Sequence, residues 1–176
     1  MFKVDGSQKS GSGTILRISV ALAATIGQPL HIYNIRQNRP QPGLKAQHLE
    51  AVLTAAKLCN AEVKGATLNS RELWFTPQEI RSGNLEAEIG TAGSISALLM
   101  TVLPICAFAK DTVRLHVAKG GTDVSHSPTI NYMRNVFLPV LKQMGLDASI
   151  TVHKYGYYPK GMGEVTMTVK PSHALQ

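Results

Sequence analysis

One order of secondary-structure elements occurs twice in this chain, and this repeat restricts the possible folds more than any single motif does. Apolar spacing and turn residues predict β-α-β-α-β-β in residues 2–76 and again in residues 85–169. Each copy would form a four-stranded sheet with two helices on one face. The sequence therefore predicts an α+β protein of tandem βαβαββ units, the first at residues 1–80 and the second at residues 81–176, with the boundary in Pro77–Asn84.

The bounds of each element follow from the apolar spacing and from the residues that stop it. In the first unit, the pattern predicts helices at Thr14–Ile26 and His48–Cys59, and strands at Phe2–Val4, Pro29–Ile35, Ala61–Lys64 and Arg71–Thr76. In the second unit, it predicts helices at Ile95–Phe108 and Thr129–Met144, and strands at Leu85–Ile89, Val113–Val117, Ala148–His153 and Glu164–Val169.

The most apolar segments predict how the two units pack together. Ile15–Ile26 and Ile95–Phe108 are apolar nearly throughout, so we expect both to be mostly buried where the units stack through their helices. In the last helix, the expected core residues are Tyr132, Val136, Leu138, Val140 and Leu141.

The composition is that of a basic globular protein. The chain has 176 residues, 44% of them hydrophobic, and a net charge of +7, which favours phosphate-rich partners. Its two cysteines, Cys59 and Cys106, lie in apolar helical patterns and are expected to be buried thiols rather than a disulfide or a metal pair. Neither a signal sequence nor an apolar run of membrane-spanning length is present, so we expect no membrane partner and a cytoplasmic location, or a nuclear one in a eukaryote.

The stretch between the second predicted strand and the second predicted helix carries two arginines, Arg36 and Arg39. Pro40, Pro42 and Gly43 exclude regular structure here and stiffen the loop. Guanidinium groups are planar forks that bind phosphate oxygens well, so the loop predicts a phosphate site. A solvated basic loop is the alternative.

A turn rich in glycine and serine, Asp5–Gly13, leads into the first predicted helix. Backbone N–H groups at a helix start can hold an anion, and Arg17, one turn into the helix, would add charge. Gly90–Ser94 takes the equivalent place in the second unit, so both helix starts would lie at the same end of the protein. An ordinary flexible turn is the alternative.

Ordered blocks over nearly the whole chain resemble the RNA 3′-terminal phosphate cyclases. These blocks are Asp5–Ser7 with Ile15–Arg17, Ile35–Arg36, Asn38–Pro40, Pro42–Leu44, Gln47–Leu49, Gly65–Ala66, Gly90–Ser94, Gly120–Asp123, Tyr132 with Val136–Pro139, and Tyr157–Gly161. The resemblance implies an enzyme that uses ATP to convert an RNA 3′-phosphate into a 2′,3′-cyclic phosphate. In that family a histidine takes AMP from ATP and passes it to the 3′-phosphate, and the 2′-hydroxyl then displaces it.

The same resemblance implies a fold, ligands and site residues. The fold is one of stacked βαβαββ units, shared with the enolpyruvate transferases, plus a small inserted domain. The ligands are ATP, Mg²⁺ and RNA with a 3′-phosphate end. The family's contacts to the ATP phosphates or the RNA end correspond to Arg17, Arg36, Arg39 and Gln47. On the adenine side, Pro128 would pack against the base, unless it only starts a helix.

Three departures from the family pattern affect the chemistry. Ser10 stands where the family has a metal-binding glutamate, and a hydroxyl is a poor replacement for a carboxylate around Mg²⁺. Met100 stands where the family has a glutamine near the adenine, and its thioether cannot supply the amide's donor and acceptor. The family members are longer, and their nucleophilic histidine, a third unit and the inserted domain have no counterpart here.

No catalytic residue is therefore identified. The histidines do not occupy the nucleophile's place: His31, His48, His116, His126, His153 and His173. Among them, only His126, close to Pro128, is a candidate substitute nucleophile.

Three hypotheses follow. The chain is an RNA 3′-phosphate cyclase or the N-terminal portion of one, a non-catalytic relative that binds RNA ends or a nucleotide, or a scaffold whose open apolar face is covered by a second copy or another chain. Because the nucleophile and the metal carboxylate are both without counterparts, the chemistry favours binding over turnover.

Overall fold

Two four-stranded sheets with equivalent topology form the framework of the protein. The computed structural model describes residues 1–172. The first sheet has the order β1-β2-β4-β3 and is made of β1 (Phe2–Asp5), β2 (Leu30–Tyr33), β3 (Glu62–Lys64) and β4 (Leu73–Thr76). The second has the order β5-β6-β8-β7 and is made of β5 (Gly83–Glu88), β6 (Val113–Gly120), β7 (Ala148–Lys154) and β8 (Gly163–Val169). In each sheet the first two strands pair in parallel and the other pairs are antiparallel, which confirms the predicted α+β architecture of tandem βαβαββ units.

The protein has three long helices, and the residues that cap them explain where these helices begin and end. They are α1 (Gly13–Ile26), α2 (Ala46–Cys59) and α3 (Ile95–Ala107). At the start of α1, Ser12 accepts a hydrogen bond from the N–H of Thr14, and at the start of α3, Ser94 accepts one from the N–H of Ala97 at 3.0 Å. Gly27, with a φ of +67°, ends α1 in the left-handed conformation that glycine adopts most easily.

The two units share one hydrophobic core. Helices α1 and α2 of the first unit pack on each other and on α3 of the second unit. Phe75, Leu99 and Val117 illustrate the continuity of this core, since each comes from a different element and none is exposed. Cys59 and Cys106 are also buried, and burial raises the pKa of their thiols to about 11 and about 12, which confirms the prediction of buried free thiols.

The last helical region differs from the single helix predicted over Thr129–Met144. It consists of α4 (Ile130–Tyr132), a π-helical segment (Met133–Phe137) and α5 (Leu138–Gln143). Pro139 explains the change, because it has no N–H to donate, and the N–H of Leu138 bonds to the carbonyl of Met133 five residues earlier.

The core prediction for this region was correct only in part. Leu138 is buried and Leu141 partly so, but Tyr132, Val136 and Val140 are about half exposed, so their assignment to the core was wrong. They lie four residues apart on one outward stripe, while Ile130 and Met133 fill the core instead.

Helix α1 is also less buried than its composition predicts. Ile18, Leu22 and Ile26 are each more than half exposed and lie four residues apart on one stripe. Along α3, Met100, Pro104 and Phe108 form a second exposed stripe with the same spacing, although the rest of that helix is buried. Within residues 1–172, no helix is both long and apolar enough to cross a membrane.

Candidate functional site

The arginine loop, residues 36–43, is fixed against the glycine turn that precedes α1. The side-chain amide of Asn38 donates a hydrogen bond to the carbonyl of Ser7 at 2.9 Å, and that of Asn34 donates to the carboxylate of Asp5 at 3.2 Å. Arg36 has a φ of +54°, and its Nη1 donates to the carbonyls of Gln41 and Gly43 at 2.7 and 2.8 Å. The loop is therefore held in one conformation by side chains rather than left free in solvent.

The starts of the three long helices line a single cleft of about 390 Å³. Helix α1 contributes Ser12 to Thr14, α2 contributes Gln47 and His48, and α3 contributes Ser94 with Ala97 one turn further on. The dipole of each helix places partial positive charge at its start, and no acidic residue lies in the first turn of any of the three. Three such ends facing one cavity favour an anion there.

All three predicted arginines line this same cleft. Arg17 comes from α1, and Arg36 and Arg39 come from the arginine loop, whereas no carboxylate is among the lining residues. Burial lowers the pKa of Arg17, and burial together with the charge of Arg39 lowers the pKa of Arg36. The first shift indicates a guanidinium partly withdrawn from water and the second also a neighbouring positive charge, an arrangement that a bound anion relieves.

The three arginines differ in how they are held. Two hydrogen bonds fix Arg36, and Arg17 makes one long contact, 3.4 Å from Nη2 to the hydroxyl of Thr14. In the described part of the chain, no hydrogen bond or ion pair involves the exposed side chain of Arg39. Arg39 is therefore the guanidinium with the most donors left for a ligand.

Gln47 joins the two units at the cleft. Its Oε1 accepts a hydrogen bond from the backbone N–H of Ser94 at 2.7 Å, so a side chain of α2 caps the start of α3. The hydroxyl of Ser94 in turn contacts that of Ser127, which also lines the cleft. With its carbonyl engaged, Gln47 keeps its amide N–H groups as donors.

His48 is a lining residue to which the sequence analysis gave no role. It is buried, and its Nδ1 accepts a hydrogen bond from the backbone N–H of Lys45 at 3.3 Å. Burial, helped by the charges of Arg36, Arg17 and Lys45, lowers the pKa of His48 to about 3. The ring is therefore neutral at pH 7, and because Nδ1 accepts, its proton is on Nε2, next to the start of α1.

A second, more apolar cavity of about 320 Å³ adjoins the cleft and shares Arg17 and His126 with it. Met100 and Pro128, predicted to lie on the adenine side, both line this cavity. His126 lies at the junction of the two cavities, is exposed, and has a φ of +62°. The three arginines and Gln47 thus line one cavity, and Met100 and Pro128 line the cavity next to it.

Ser10 lies outside both cavities, in the exposed part of the glycine turn. Among the residues that the structure describes, no group of three or more His, Cys, Asp or Glu side chains could hold a metal ion. The protein side of this cleft therefore does not fit a Mg²⁺ site of its own, and no step below passes through the ion.

The remaining histidines lie away from the cleft or outside the described residues. His31 stacks on Trp74 with ring centroids 4.6 Å apart, and His116 and His153 both contact the hydroxyl of Thr166. His173 lies outside the described residues. A larger open groove of about 940 Å³, lined by Leu53 and Lys57 among others, contains none of the predicted site residues.

Two lining residues could have been found from sequence alone. His48 occupies the third position of α2, where a side chain often bonds back to the residue that caps the helix. Ser94 directly precedes the apolar run of α3, as helix-capping serines do. Ser127, Val124 and Thr14 gave no signal, because only the packing of the two units brings them to the cleft.

Comparison with known proteins identifies a family. The family model described as "RNA 3'-terminal phosphate cyclase" matches residues 8–176. Proteins named RNA 3′-terminal phosphate cyclase from Methanosarcina acetivorans and Pyrococcus furiosus are each 49% identical to this chain over 171 residues, or 97% of it. The match covers 48% of the first relative and 50% of the second, so the chain spans about half the length of these relatives.

Among solved structures, the EPSP synthase from Acinetobacter baumannii is similar to this chain. The alignment covers 99% of this chain and 48% of the synthase. The TM-score is 0.44 and the sequence identity is 13%.

Proposed function

The chain belongs to the RNA 3′-terminal phosphate cyclase family, and from that premise we propose that its arginine cleft binds the phosphate-bearing 3′ end of RNA and the phosphates of ATP. In this proposal, the chain supplies the phosphate-binding part of an ATP-dependent conversion of an RNA 3′-phosphate into a 2′,3′-cyclic phosphate. The observation that carries it is the convergence of three arginines and three helix starts on one cleft without a carboxylate.

Each group has a role that its geometry permits. Arg39 grips phosphate oxygens with a guanidinium that has no partner among residues 1–172, while Arg36 shapes the loop and adds its remaining donors. Gln47 accepts the N–H of Ser94 and so holds the positively charged start of α3 at the cleft. The adjoining cavity at Met100 and Pro128 is large and apolar enough to receive the adenine of ATP.

Turnover is not assigned to any described residue. The cyclase reaction needs a group that carries AMP, and His126 is the histidine whose position at the junction of the cavities fits that role best. The relatives are about twice as long as this chain. We place the protein in the cytoplasm, or in the nucleus of a eukaryote, where RNA ends are processed.

Replacing Arg39 with alanine should weaken the binding of a 3′-phosphorylated RNA about tenfold and that of the same RNA with a 3′-hydroxyl much less. A charge-assisted hydrogen bond to phosphate contributes about 1.5–3 kcal/mol to binding, and in the variant the neighbouring arginines replace part of this free energy. Fluorescence anisotropy with both RNAs at one fixed salt concentration measures the difference.

Arg114→Ala is the matched control for Arg39→Ala. Arg114 is exposed on the second sheet, outside both cavities, so its loss removes the same charge without touching the cleft. If Arg39→Ala weakened both RNAs equally and Arg114→Ala did the same, Arg39 would provide only general attraction, and the cleft would not be the site of the 3′-phosphate.

The exposed stripes on α1 and α3 support a second function, that of a scaffold to which a further unit docks. Ile18, Leu22, Met100 and Pro104 line the same apolar cavity that would receive the adenine, so this second function is an alternative to ATP binding there. Helices α1 and α2 already pack on α3, and we propose that a second copy of the chain covers this surface by the same kind of helix packing.

The chain alone should accordingly form a dimer at micromolar concentration, and Leu22→Glu should shift it to the monomer. Burying a charge in an apolar interface without a partner is unfavourable. Leu68→Glu is the control, because Leu68 is equally exposed but lies in the loop before β4. Sedimentation velocity gives the answer, and a wild-type monomer at these concentrations would contradict self-association through this surface.

A further inference from the structure

The loop between β7 and β8 carries a concentration of aromatic side chains that the proposed function does not use. Tyr155, Tyr157 and Tyr158, three of the five tyrosines in the chain, lie in this loop, which we call the tyrosine loop (residues 155–161). Their exposed fractions are 40%, 56% and 84%. The rings of Tyr155 and Tyr157 are nearly parallel, at 17°, with centroids 6.5 Å apart.

The backbone of the tyrosine loop is fixed although its rings are exposed. The hydroxyl of Thr122 accepts a hydrogen bond from the N–H of Gly156 at 3.1 Å, and the N–H of Thr122 donates to the carbonyl of Gly156 at 2.8 Å. Gly156 and Gly161 are buried, and the N–H of Gly161 donates to the carbonyl of Tyr157 at 2.7 Å. The loop therefore presents its rings to solvent from a rigid support, which lowers the entropy lost when a ligand stacks on them.

The tyrosine loop is continuous with the rim of the arginine cleft. The backbone of Tyr157 pairs with that of Asp123, and the next residue, Val124, lines the cleft. Paired backbones and consecutive Cα atoms are each only a few ångströms apart, so the backbone of Tyr157 lies within about 10 Å of that of Val124. At the other end of the loop, Gly161 packs on the turn before α3, since a Cβ there would lie 2.6 Å from the carbonyl oxygen of Thr91.

The charges beside the rings favour a polyanion. Lys154 and Lys160 flank the tyrosines, and the side-chain amine of neither has a salt-bridge or hydrogen-bond partner within residues 1–172. The nearby carboxylates are engaged, since Asp123 accepts a hydrogen bond from the hydroxyl of Thr122 at 3.0 Å and Glu164 is 3.2 Å from His116. Exposed aromatic rings interleaved with free cations are the arrangement with which proteins bind single-stranded nucleic acid.

We propose that the tyrosine loop is a stacking platform for the bases of single-stranded RNA just upstream of its 3′ end. Tyr157 and Tyr158 supply the stacking surfaces, and Lys154 and Lys160 contact the backbone phosphates. The direction of the strand rests on the proposed function, because that function places the 3′-phosphate in the arginine cleft. The stacking itself does not depend on which end the cleft binds.

The test compares a long ligand with a short one. Anisotropy with a fluorescent single-stranded RNA of about ten nucleotides that ends in a 3′-phosphate reports on cleft and platform together. Competition by adenosine 3′-monophosphate reports on the cleft alone. We expect Tyr157→Ala and Tyr158→Ala each to weaken the long RNA about tenfold and to leave the mononucleotide unchanged. Tyr158→Phe should retain wild-type affinity, because stacking needs the ring and not the hydroxyl.

Two further measurements separate stacking from charge. Tyr158→Ala should leave the salt dependence of long-RNA binding unchanged, whereas Lys160→Ala should lower the slope of log K against log salt by about one. Phe2→Ala is the control for loss of an exposed ring, because Phe2 begins β1 in the first sheet and lies outside both cavities, whereas the tyrosine loop belongs to the second sheet.

The outcomes are distinct. No loss for the long RNA, or an equal loss for both ligands, would overturn the platform. The platform would also be overturned if the tyrosine variants kept wild-type affinity for the long RNA but no longer captured a protein partner. A further outcome is that the wild type binds 3′-phosphate and 3′-hydroxyl RNA equally while the tyrosine substitutions still lower the affinity for both of these RNAs. In that case the proposed function would fail and the platform would remain.

Discussion

Gly13→Ala is expected to lower the free energy of unfolding by about 3 kcal/mol, although alanine is the better helix former. A Cβ at residue 13 would lie 2.0 Å from Nε2 and 2.5 Å from Cδ2 of His48, far inside van der Waals contact. The imidazole cannot move away easily, because it is buried and its Nδ1 is held by the backbone N–H of Lys45. Urea unfolding of the two proteins measures the change.

A double-mutant cycle shows whether the contact with His48 is the cause. In a His48→Ala background the space beside residue 13 is free, so the same Gly13→Ala change should cost little or even stabilise α1. The coupling between the two positions should therefore be close to the full loss seen in the wild-type background. An equal loss in both backgrounds would mean that the backbone at residue 13, and not the histidine, requires glycine.

The architecture could be predicted because it rests on local signals that occur twice. Alternating apolar residues marked the strands, Gly27 marked the end of α1, and the order of elements was the same in both halves. Apart from the single helix predicted over Thr129–Met144, the predictions that proved wrong concern which apolar side chains are buried. Ile18 and Val136 have the spacing of core residues, but burial depends on what packs against a helix, and periodicity alone does not contain that information.

The candidate site was predictable where chemistry and position coincide. Arg17, Arg36 and Arg39 were predicted as phosphate ligands, and the structure brings all three to one cleft, although their roles stay predictions. The capping of Ser94 by Gln47 was not predictable, because it joins residues of different units, 47 positions apart. The hydrogen bonds from Arg36 to its own loop were missed as well, since the positive φ that permits them is unusual for a non-glycine residue.

His48 connects the stability of this site to its charge, and pH reveals the connection. In the unfolded chain a histidine binds a proton below a pKa of about 6.5, whereas in the folded protein burial and the neighbouring cations lower the pKa of His48 to about 3. Between these values the unfolded state holds the extra proton. The contribution of neutral His48 to stability is therefore complete above pH 6.5 and is lost progressively as the pH falls toward 3.

Acidification from pH 6.5 to 4.5 should accordingly lower the free energy of unfolding of the wild type more steeply than that of His48→Gln, by up to about 1.4 kcal/mol per pH unit. Carboxylates begin to titrate at the lower end of this window, and the comparison with the variant removes what they and the other histidines contribute. Saturating pyrophosphate should reduce the difference in slope, because an anion in the cleft offsets the charges of Arg17 and Arg36 that help to keep His48 neutral. Parallel pH profiles for the two proteins would show that His48 is not held neutral beside a cationic cleft, and the electrostatic basis for an anion site at the three helix starts would be lost.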